Sequence, residues 1–275
     1  MPLYQAILLA VVQGLTEFLP ISSTAHLAVV PRLLGWTDRG LDFDVALHAG
    51  TLAAVLIYFF RDWVQVIANG LGFSYRGVHP DENSRSLLWF LVVATIPVGI
   101  AGKTLKEYAE GPWRNLFVIG ASLILVGLVM GVADRVRQRK TGLDQMTWLD
   151  AIFVGIGQAF AIIPGISRSG ITITAARFRE LDREAAARFS FLLSTPAIAA
   201  AAASDYFEMR KNGGIPADMR AAYPVGILVS AAVGLLVIAF LLRYLRHNSL
   251  SVFVWYRVIF GIILIALAFF LRNGG

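Results

Sequence analysis

Several long stretches of this chain contain no Asp, Glu, Lys or Arg, and this distribution of charge constrains the fold more than any other feature. Among them are residues 1–16, 87–102, 116–133, 189–204 and 221–242. A transmembrane helix needs about 20 mostly apolar residues. With 57% hydrophobic and 15% charged residues, the chain is predicted to be an all-α polytopic membrane protein. Because it has no cysteine, disulfide frameworks and thiolate chemistry are excluded.

Six segments are predicted to span the membrane: 42–60, 86–102, 115–133, 186–204, 222–243 and 250–271. Two further apolar stretches, 3–19 and 149–163, each end in a polar cluster that contains proline. Proline ends a helix, and irregular backbone at membrane depth is tolerated only inside protein or beside a wet cavity. We therefore predict two re-entrant helix-turn-helix elements, with a plain kinked span as the alternative in each case.

The two halves of the chain resemble each other at a shift of 145 residues. The aligned polar pairs include Gln13 with Gln158, Ser22 with Ser167, and Thr24 with Ser169. We predict two repeats, 1–140 and 141–275, within one integral membrane domain, each with a re-entrant element followed by three spans. Three spans is an odd number, so the second repeat is expected to be inverted, as in transporters whose sites lie between their repeats.

The net charge of +6 is interpreted as membrane topology. Basic residues concentrate in the connections 61–85 and 135–183 and at Arg246, which places these connections on the cytoplasmic side by the positive-inside rule. No basic stretch carries interleaved aromatic residues, so nucleic acid is not an expected partner. Residues 1–16 lack Lys and Arg, so a secretory signal is not expected there.

The first candidate site surrounds the first predicted re-entrant turn. Gln13 and Glu17 are four residues apart and share a helix face, and a carboxylate within a membrane segment costs about 3 kcal/mol and marks function by default. The hydroxyls of Ser22 and Ser23 precede the imidazole of His26, which indicates a nucleophile beside a base. The alternative is that one serine only caps a helix and the imidazole lies at the membrane interface.

The second candidate site is the segment PGISRSG, residues 164–170. Glycines allow backbone amides to approach a ligand, and a guanidinium at a helix start is suited to phosphate. The alternative is a capping turn in which Arg168 pairs with a carboxylate. If the two turns meet, they indicate phosphoryl transfer or hydrolysis on a lipid-borne phosphate, with Mg²⁺ or Ca²⁺ at Glu17.

Three residues outside these turns are weaker candidates. Asp44 and His48 stand four apart at the start of a span, where cap and interface roles are favoured. Arg257 lies in an otherwise apolar span beside an aromatic pair. Interfacial anchoring and pairing with phosphate or carboxylate are equally plausible for it.

The segments QGLTEFLPISSTAH (13–26) and PGISRSG (164–170) resemble the two signatures of the BacA-type undecaprenyl-pyrophosphate phosphatases, and the likeness extends over essentially the whole chain. The resemblance implies hydrolysis of undecaprenyl diphosphate to undecaprenyl phosphate and inorganic phosphate, which recycles the lipid carrier for peptidoglycan synthesis. It also implies a divalent cation, bacitracin resistance on overproduction, and a location in the bacterial cytoplasmic membrane with the active site open to the extracytoplasmic side.

By this resemblance, the expected catalytic residues are Glu17, Ser23, His26 and Arg168. The expected substrate-binding residues are Ser22, Thr24, Gly165, Ser167, Ser169, Gly170 and Arg257, and the expected metal ligands are Glu17 and Gln13, with Mg²⁺ or Ca²⁺ as the cation. The family often has Glu where this chain has Gln13, which weakens the case for a two-carboxylate metal site. The family also often has Gly where this chain has Ala25.

In the expected mechanism, Ser23 attacks the terminal phosphorus and His26 accepts its proton. Glu17 holds the cation or orients the imidazole, and Arg168 stabilises the transferred phosphoryl group. Attack by His26 itself, or by water with Glu17 as the base, remains open. The rival function is a polyprenyl-phosphate flippase or secondary transporter, and a homodimer is a further possibility.

Overall fold

The computed structural model describes residues 1–36, 41–73, 82–137, 139, 142–211 and 213–273. Within them the α-helices are α1 (Leu3–Phe18), α2 (Ser23–Leu33), α3 (Leu41–Tyr58), α4 (Phe60–Gly70), α5 (Glu82–Glu110), α6 (Leu116–Ala133), α7 (Trp148–Ala159), α8 (Arg168–Phe178), α9 (Arg183–Lys211), α10 (Ala222–Leu245) and α11 (Ser251–Asn273). Short 3₁₀ turns cover Leu143–Gln145, Phe160–Ile162 and Ala217–Met219. Arg76 and the predicted boundary between residues 140 and 141 lie outside the described residues.

The spanning helices confirm the predicted all-α polytopic membrane fold. Among the described residues, five helices are long and apolar enough to cross a bilayer, namely α5, α6, α9, α10 and α11. A sixth span exists if α3 and α4, which meet at an angle of 72°, form one broken span. The helix α4 was not predicted. Its polar residues, such as Asp62 and Asn69, recur at helical spacing among apolar ones, so the segment is an amphipathic helix.

The two predicted helix-turn-helix elements are present as α1–α2 and α7–α8. Helices α1 and α7 have 16 and 12 residues, and each is followed by a turn and an 11-residue helix. An 11-residue helix is about 17 Å long, which is too short for a hydrocarbon core of about 30 Å. Because α1 lies against α2 and α7 against α8, each element folds back on itself.

The first helix of each half lies against a helix of the other half. Helix α1 packs along α10, and α7 packs along α5. Glycines allow the helices of each pair to pack closely. A Cβ on Gly14 would lie 2.7 Å from Val233 Cβ, and one on Gly155 would lie 2.6 Å from Ala94 Cα. This exchange of partners is compatible with two interdigitated repeats. The boundaries and inverted relation of the repeats remain predictions.

A buried ionic cluster fixes the connections at the end of α8. The side chain of Arg177 is 2% exposed, and its guanidinium donates to the carbonyl oxygens of Leu181 and Val136. The carboxylate of Asp134 accepts from Arg183 Nε at 2.6 Å and from the Leu250 amide at 3.0 Å. These contacts join the end of α6 to the starts of α9 and α11.

Candidate active site

The turn regions of the two helix-turn-helix elements meet inside the protein. We call residues 17–26 the first tip and residues 164–170 the second tip. Ser169 Oγ on the second tip donates to the carbonyl oxygens of Leu19, at 3.1 Å, and Glu17, at 3.2 Å. The Gly165 amide approaches Thr24 Oγ1 on the first tip at 3.5 Å. The two predicted constellations, which are about 150 residues apart in the sequence, therefore form one site.

Both tips turn through a serine with an unusual backbone conformation. Ser22 has φ 76° and Ser167 has φ 68°, and each immediately precedes a helix. Positive φ at a residue other than glycine costs on the order of 1–3 kcal/mol and is concentrated at functional sites. Ser167 Oγ accepts from the Gly170 amide at 3.2 Å and caps α8, so part of this cost is offset at the second tip.

The carboxylate of Glu17 is the centre of the site. Its Oε1 accepts from Arg168 Nη2 at 2.7 Å, and its Oε2 accepts from Ser23 Oγ at 2.6 Å and from Gln13 Nε2 at 3.1 Å. The side chain is 6% exposed. A buried carboxylate is stable when it is paired with a cation and accepts several hydrogen bonds. The contacts place the predicted catalytic Arg168 and Ser23 on opposite oxygens of Glu17.

Two buried atoms in this cluster have no hydrogen-bond partner among the described residues. They are Arg168 Nη1, a donor, and Gln13 Oε1, an acceptor. A buried polar atom without a partner is costly, so each indicates what a ligand would supply. A phosphate oxygen would satisfy the guanidinium, and a divalent cation would satisfy the amide oxygen.

The residues present are compatible with a divalent cation. The oxygens of Gln13 and Glu17 are the hard donors that Mg²⁺ and Ca²⁺ prefer, and Mg²⁺ commonly takes one or two carboxylates together with phosphate oxygens. No cluster of three or more His, Cys, Asp or Glu side chains suited to a metal occurs in the part of the chain that the structure describes. A bound cation would therefore need oxygens from the substrate or from water.

His26 does not contact Ser23 in the way that the expected mechanism requires. Its Nδ1 lies 2.7 Å from the Ser22 carbonyl oxygen, and its Nε2 lies 2.6 Å from the Tyr256 hydroxyl. The imidazole also stacks on Phe260, with the ring centroids 4.7 Å apart. The Ser23 hydroxyl donates to Glu17 instead, so the structure pairs the expected nucleophile with a carboxylate.

Arg257 is fully buried, at 0% exposure, and holds both tips. Its guanidinium donates to Pro20 O on the first tip at 3.1 Å. On the second tip it donates to Gly165 O at 3.0 Å and Ile166 O at 2.9 Å. A fourth bond reaches Leu123 O on α6 at 3.3 Å. These contacts join Arg257 to the backbone of both tips and of α6, and its expected contact with substrate stays a prediction.

The other expected substrate-binding residues differ in access. Thr24 is exposed, and its hydroxyl lies 3.0 Å from Ser22 Oγ. The buried residues among them are Ser22, Gly165, Ser167, Ser169 and Gly170. The buried residues shape the turns through backbone and hydroxyl hydrogen bonds. Their contact with substrate remains a prediction.

The sequence reasoning did not assign two residues to the site. Tyr256, noted only as a neighbour of Arg257, contacts His26, and its position next to Arg257 was the available signal. His48, taken as an interface residue, has Nε2 3.9 Å from Glu17 Oε2. Its Nδ1 lies 2.7 Å from the Asp44 carbonyl oxygen, and the four-residue spacing was its signal.

The fold and site together define a polytopic membrane protein with a buried carboxylate–guanidinium–hydroxyl cluster suited to a phosphate ligand. Residues 6–263 match the family described as "Bacitracin resistance protein BacA", and the chain belongs to this family.

Three similar proteins share the same name. A protein from Pelotomaculum thermopropionicum named "Undecaprenyl-diphosphatase" is 44% identical, with 98% of this chain and 97% of the relative covered. Proteins of the same name from Moorella thermoacetica and Myxococcus xanthus are 45% and 46% identical. They cover 99% and 97% of this chain, and 100% and 89% of their own lengths are matched.

Proposed function

We propose that this protein hydrolyses undecaprenyl diphosphate to undecaprenyl phosphate and inorganic phosphate. The observation that carries the proposal is the Ser23–Glu17–Arg168 cluster, in which one carboxylate contacts a hydroxyl at 2.6 Å and a guanidinium at 2.7 Å. The name shared by the relatives supports the substrate and the reaction. The rival reading as a flippase or transporter is not favoured, because transport alone does not need a hydroxyl held against a carboxylate.

In the first step Ser23 Oγ attacks the terminal phosphorus, and its proton passes to Glu17 Oε2. The bond between this phosphorus and the bridging oxygen breaks, and polyprenyl phosphate leaves with the electron pair. Arg168 stabilises the charge on the transferred phosphoryl group. Its Nη1, which lacks an acceptor among the described residues, is the atom available to a phosphate oxygen.

In the second step water attacks the phosphoserine, and His26 accepts a proton from the water. Inorganic phosphate leaves, and Ser23 Oγ recovers a proton from Glu17. The alternatives in which His26 or water attacks the lipid directly are outcomes of the labelling experiment below. A divalent cation held by Glu17 and Gln13 would supply positive charge to the phosphate oxygens.

Phosphate release by the purified protein tests the reaction. We expect release from a polyprenyl diphosphate with Mg²⁺ or Ca²⁺ and a large loss with chelator. Glu17→Gln should abolish release, and the matched control Glu107→Gln, at an exposed position on α5, should not. Absence of release by the wild-type protein with either cation contradicts the proposal and favours transport.

Labelling with substrate that carries radioactive terminal phosphate tests the nucleophile. A phosphoenzyme should form in the wild type and in the control Ser251→Ala, at an exposed serine, but not in Ser23→Ala. If Ser23→Ala labels like the wild type, serine is not the nucleophile and attack by His26 is favoured. Hydrolysis without a detectable phosphoenzyme favours direct attack by water.

We further propose that the protein resides in the bacterial cytoplasmic membrane with the site open to the extracytoplasmic side. Single cysteines are unique reporters because the chain has none. Leu34→Cys, at an exposed position after α2, should react with an impermeant maleimide in intact cells. Asn248→Cys, in the turn before α11, should react only after permeabilisation, and the reverse pattern would overturn the orientation.

We also propose that two copies of the protein associate through the small residues 199–204 of α9. Small residues allow close approach between membrane helices. Light scattering of the purified protein in detergent measures its mass. We expect the mass of two copies, and the mass of one copy would contradict the proposal.

A further inference from the structure

Helix α11 contributes two side chains to the site besides Arg257. Tyr256 and Phe260 are four residues apart and lie on one face of α11, and both rings flank the imidazole of His26. The His26 and Tyr256 centroids are 5.8 Å apart with an interplanar angle of 15°, and those of His26 and Phe260 are 4.7 Å apart at 26°. The imidazole is thus held between the end of the first tip and α11.

The hydrogen bonds of His26 determine where its proton lies. A backbone carbonyl oxygen can only accept, so the contact of 2.7 Å with Ser22 O requires a proton on Nδ1. In the neutral imidazole, Nε2 then carries the lone pair. The Tyr256 hydroxyl, 2.6 Å from Nε2, must therefore be the donor in that bond.

We propose that Tyr256 is a positioning residue that fixes the orientation of the His26 imidazole for proton transfer, while the Ser22 carbonyl oxygen sets the tautomer. The proposal rests on the proposed hydrolysis, in which His26 accepts a proton from water. The Tyr256 hydroxyl donates to Nε2 and orients it. The stacked ring of Phe260 limits rotation of the imidazole. Tyr256 is 40% exposed, so the residue is accessible from outside the protein, and in the proposed reaction water replaces its hydroxyl at Nε2.

Tyr256→Phe removes the hydroxyl and keeps the ring. Loss of one hydrogen bond that orients the base is expected to lower kcat about tenfold. KM should stay within about twofold, because a residue that acts through the base contributes little to ground-state binding. The matched control is Tyr206→Phe, at an exposed tyrosine of α9, which should retain wild-type kcat.

A double-mutant cycle with His26→Ala separates positioning from a separate effect of the hydroxyl. In the His26→Ala background, Tyr256→Phe should change the residual rate by less than about twofold, because the group that it positions is gone. A full tenfold loss in that background would overturn the proposal. Wild-type kcat in Tyr256→Phe alone would also overturn it.

Nitrogen-15 NMR of labelled histidine gives a readout that does not depend on activity. His26→Gln identifies the His26 signals among the four histidines. We expect a protonated Nδ1 and an unprotonated, hydrogen-bonded Nε2 in the wild type, and a shift of the Nε2 signal in Tyr256→Phe. A protonated Nε2 in the neutral wild type would refute the tautomer assignment, and identical spectra for the two proteins would refute the positioning role of Tyr256. If the wild type releases no phosphate while the spectra behave as expected, the proposed function fails and the tautomer assignment stands.

Discussion

The guanidinium of Arg257 contacts both tips and α6, so Arg257→Lys tests the organisation of the site directly. In the wild type, four backbone carbonyls accept from it at 2.9 to 3.3 Å. An ammonium is a compact charge without the planar fork of guanidinium and cannot serve carbonyls on several sides of a buried pocket. At least two carbonyls are expected to lose their donor.

Each buried carbonyl that loses its donor costs about 1–3 kcal/mol, so the variant should lose about 2–6 kcal/mol of stability. We expect Tm to fall by at least about 5 °C, measured by thermal unfolding in detergent. The tips carry Glu17 and Arg168, so kcat for phosphate release should fall with it. Arg243→Lys, at an exposed arginine of α10, is the control.

A direct contact between Arg257 and substrate predicts a different outcome. Removal of uniform binding raises KM and leaves kcat unchanged, and Tm would stay at the wild-type value. Wild-type Tm and kcat in Arg257→Lys, with a raised KM, would therefore refute the positioning role and support the predicted contact with substrate.

Three further substitutions have defined outcomes. Gly165→Ala should lower Tm, because Gly165 has φ +93° and an added Cβ would lie 2.5 Å from Ile119 O; an unchanged Tm would contradict the close packing of the second tip. Gln13→Glu should lower the cation concentration for half-maximal phosphate release, because a carboxylate binds Mg²⁺ more strongly than an amide does; an unchanged titration argues against a cation there. Asp134→Asn should cost about 3–5 kcal/mol in a denaturation experiment, because the buried charge of Arg177 loses its counter-ion; a loss below 1 kcal/mol would refute that account.

Hydropathy and the positions of prolines are properties of short segments, so the sequence predicts which segments are helical and where they end. The apolar stretch 3–19 became α1, and 149–163 became α7 with its 3₁₀ turn. Both turns lie at the clusters of proline, glycine and hydroxyl residues. The bend of 72° between α3 and α4 was not predictable from hydropathy, because the polar residues after residue 60 are equally compatible with a loop.

The site was predictable within each tip but not between elements. Gln13 and Glu17 share a helix face, and their contact at 3.1 Å follows from their spacing. The contact between His26 and Tyr256 joins residues 230 apart, and no local pattern states which helix faces meet. The proximity of Ser23 to His26 suggested a pair that the turn geometry does not make, because Ser22 O takes Nδ1.

Comparison of the two tips separates residues that shape a turn from residues that carry chemistry. At the shift of 145, a residue that shapes the turn matches in kind, since Ser22 and Ser167 both have positive φ and both immediately precede a helix.

The residues with chemical roles do not match. Glu17 corresponds to Ile162, Ser23 to Arg168 and His26 to Ile171. The two tips have similar backbone turns, but the proposed reaction needs different chemical groups around one phosphate. The proposed division of labour, with the carboxylate, hydroxyl and imidazole on one tip and the guanidinium on the other, therefore lies at the positions where the two halves differ.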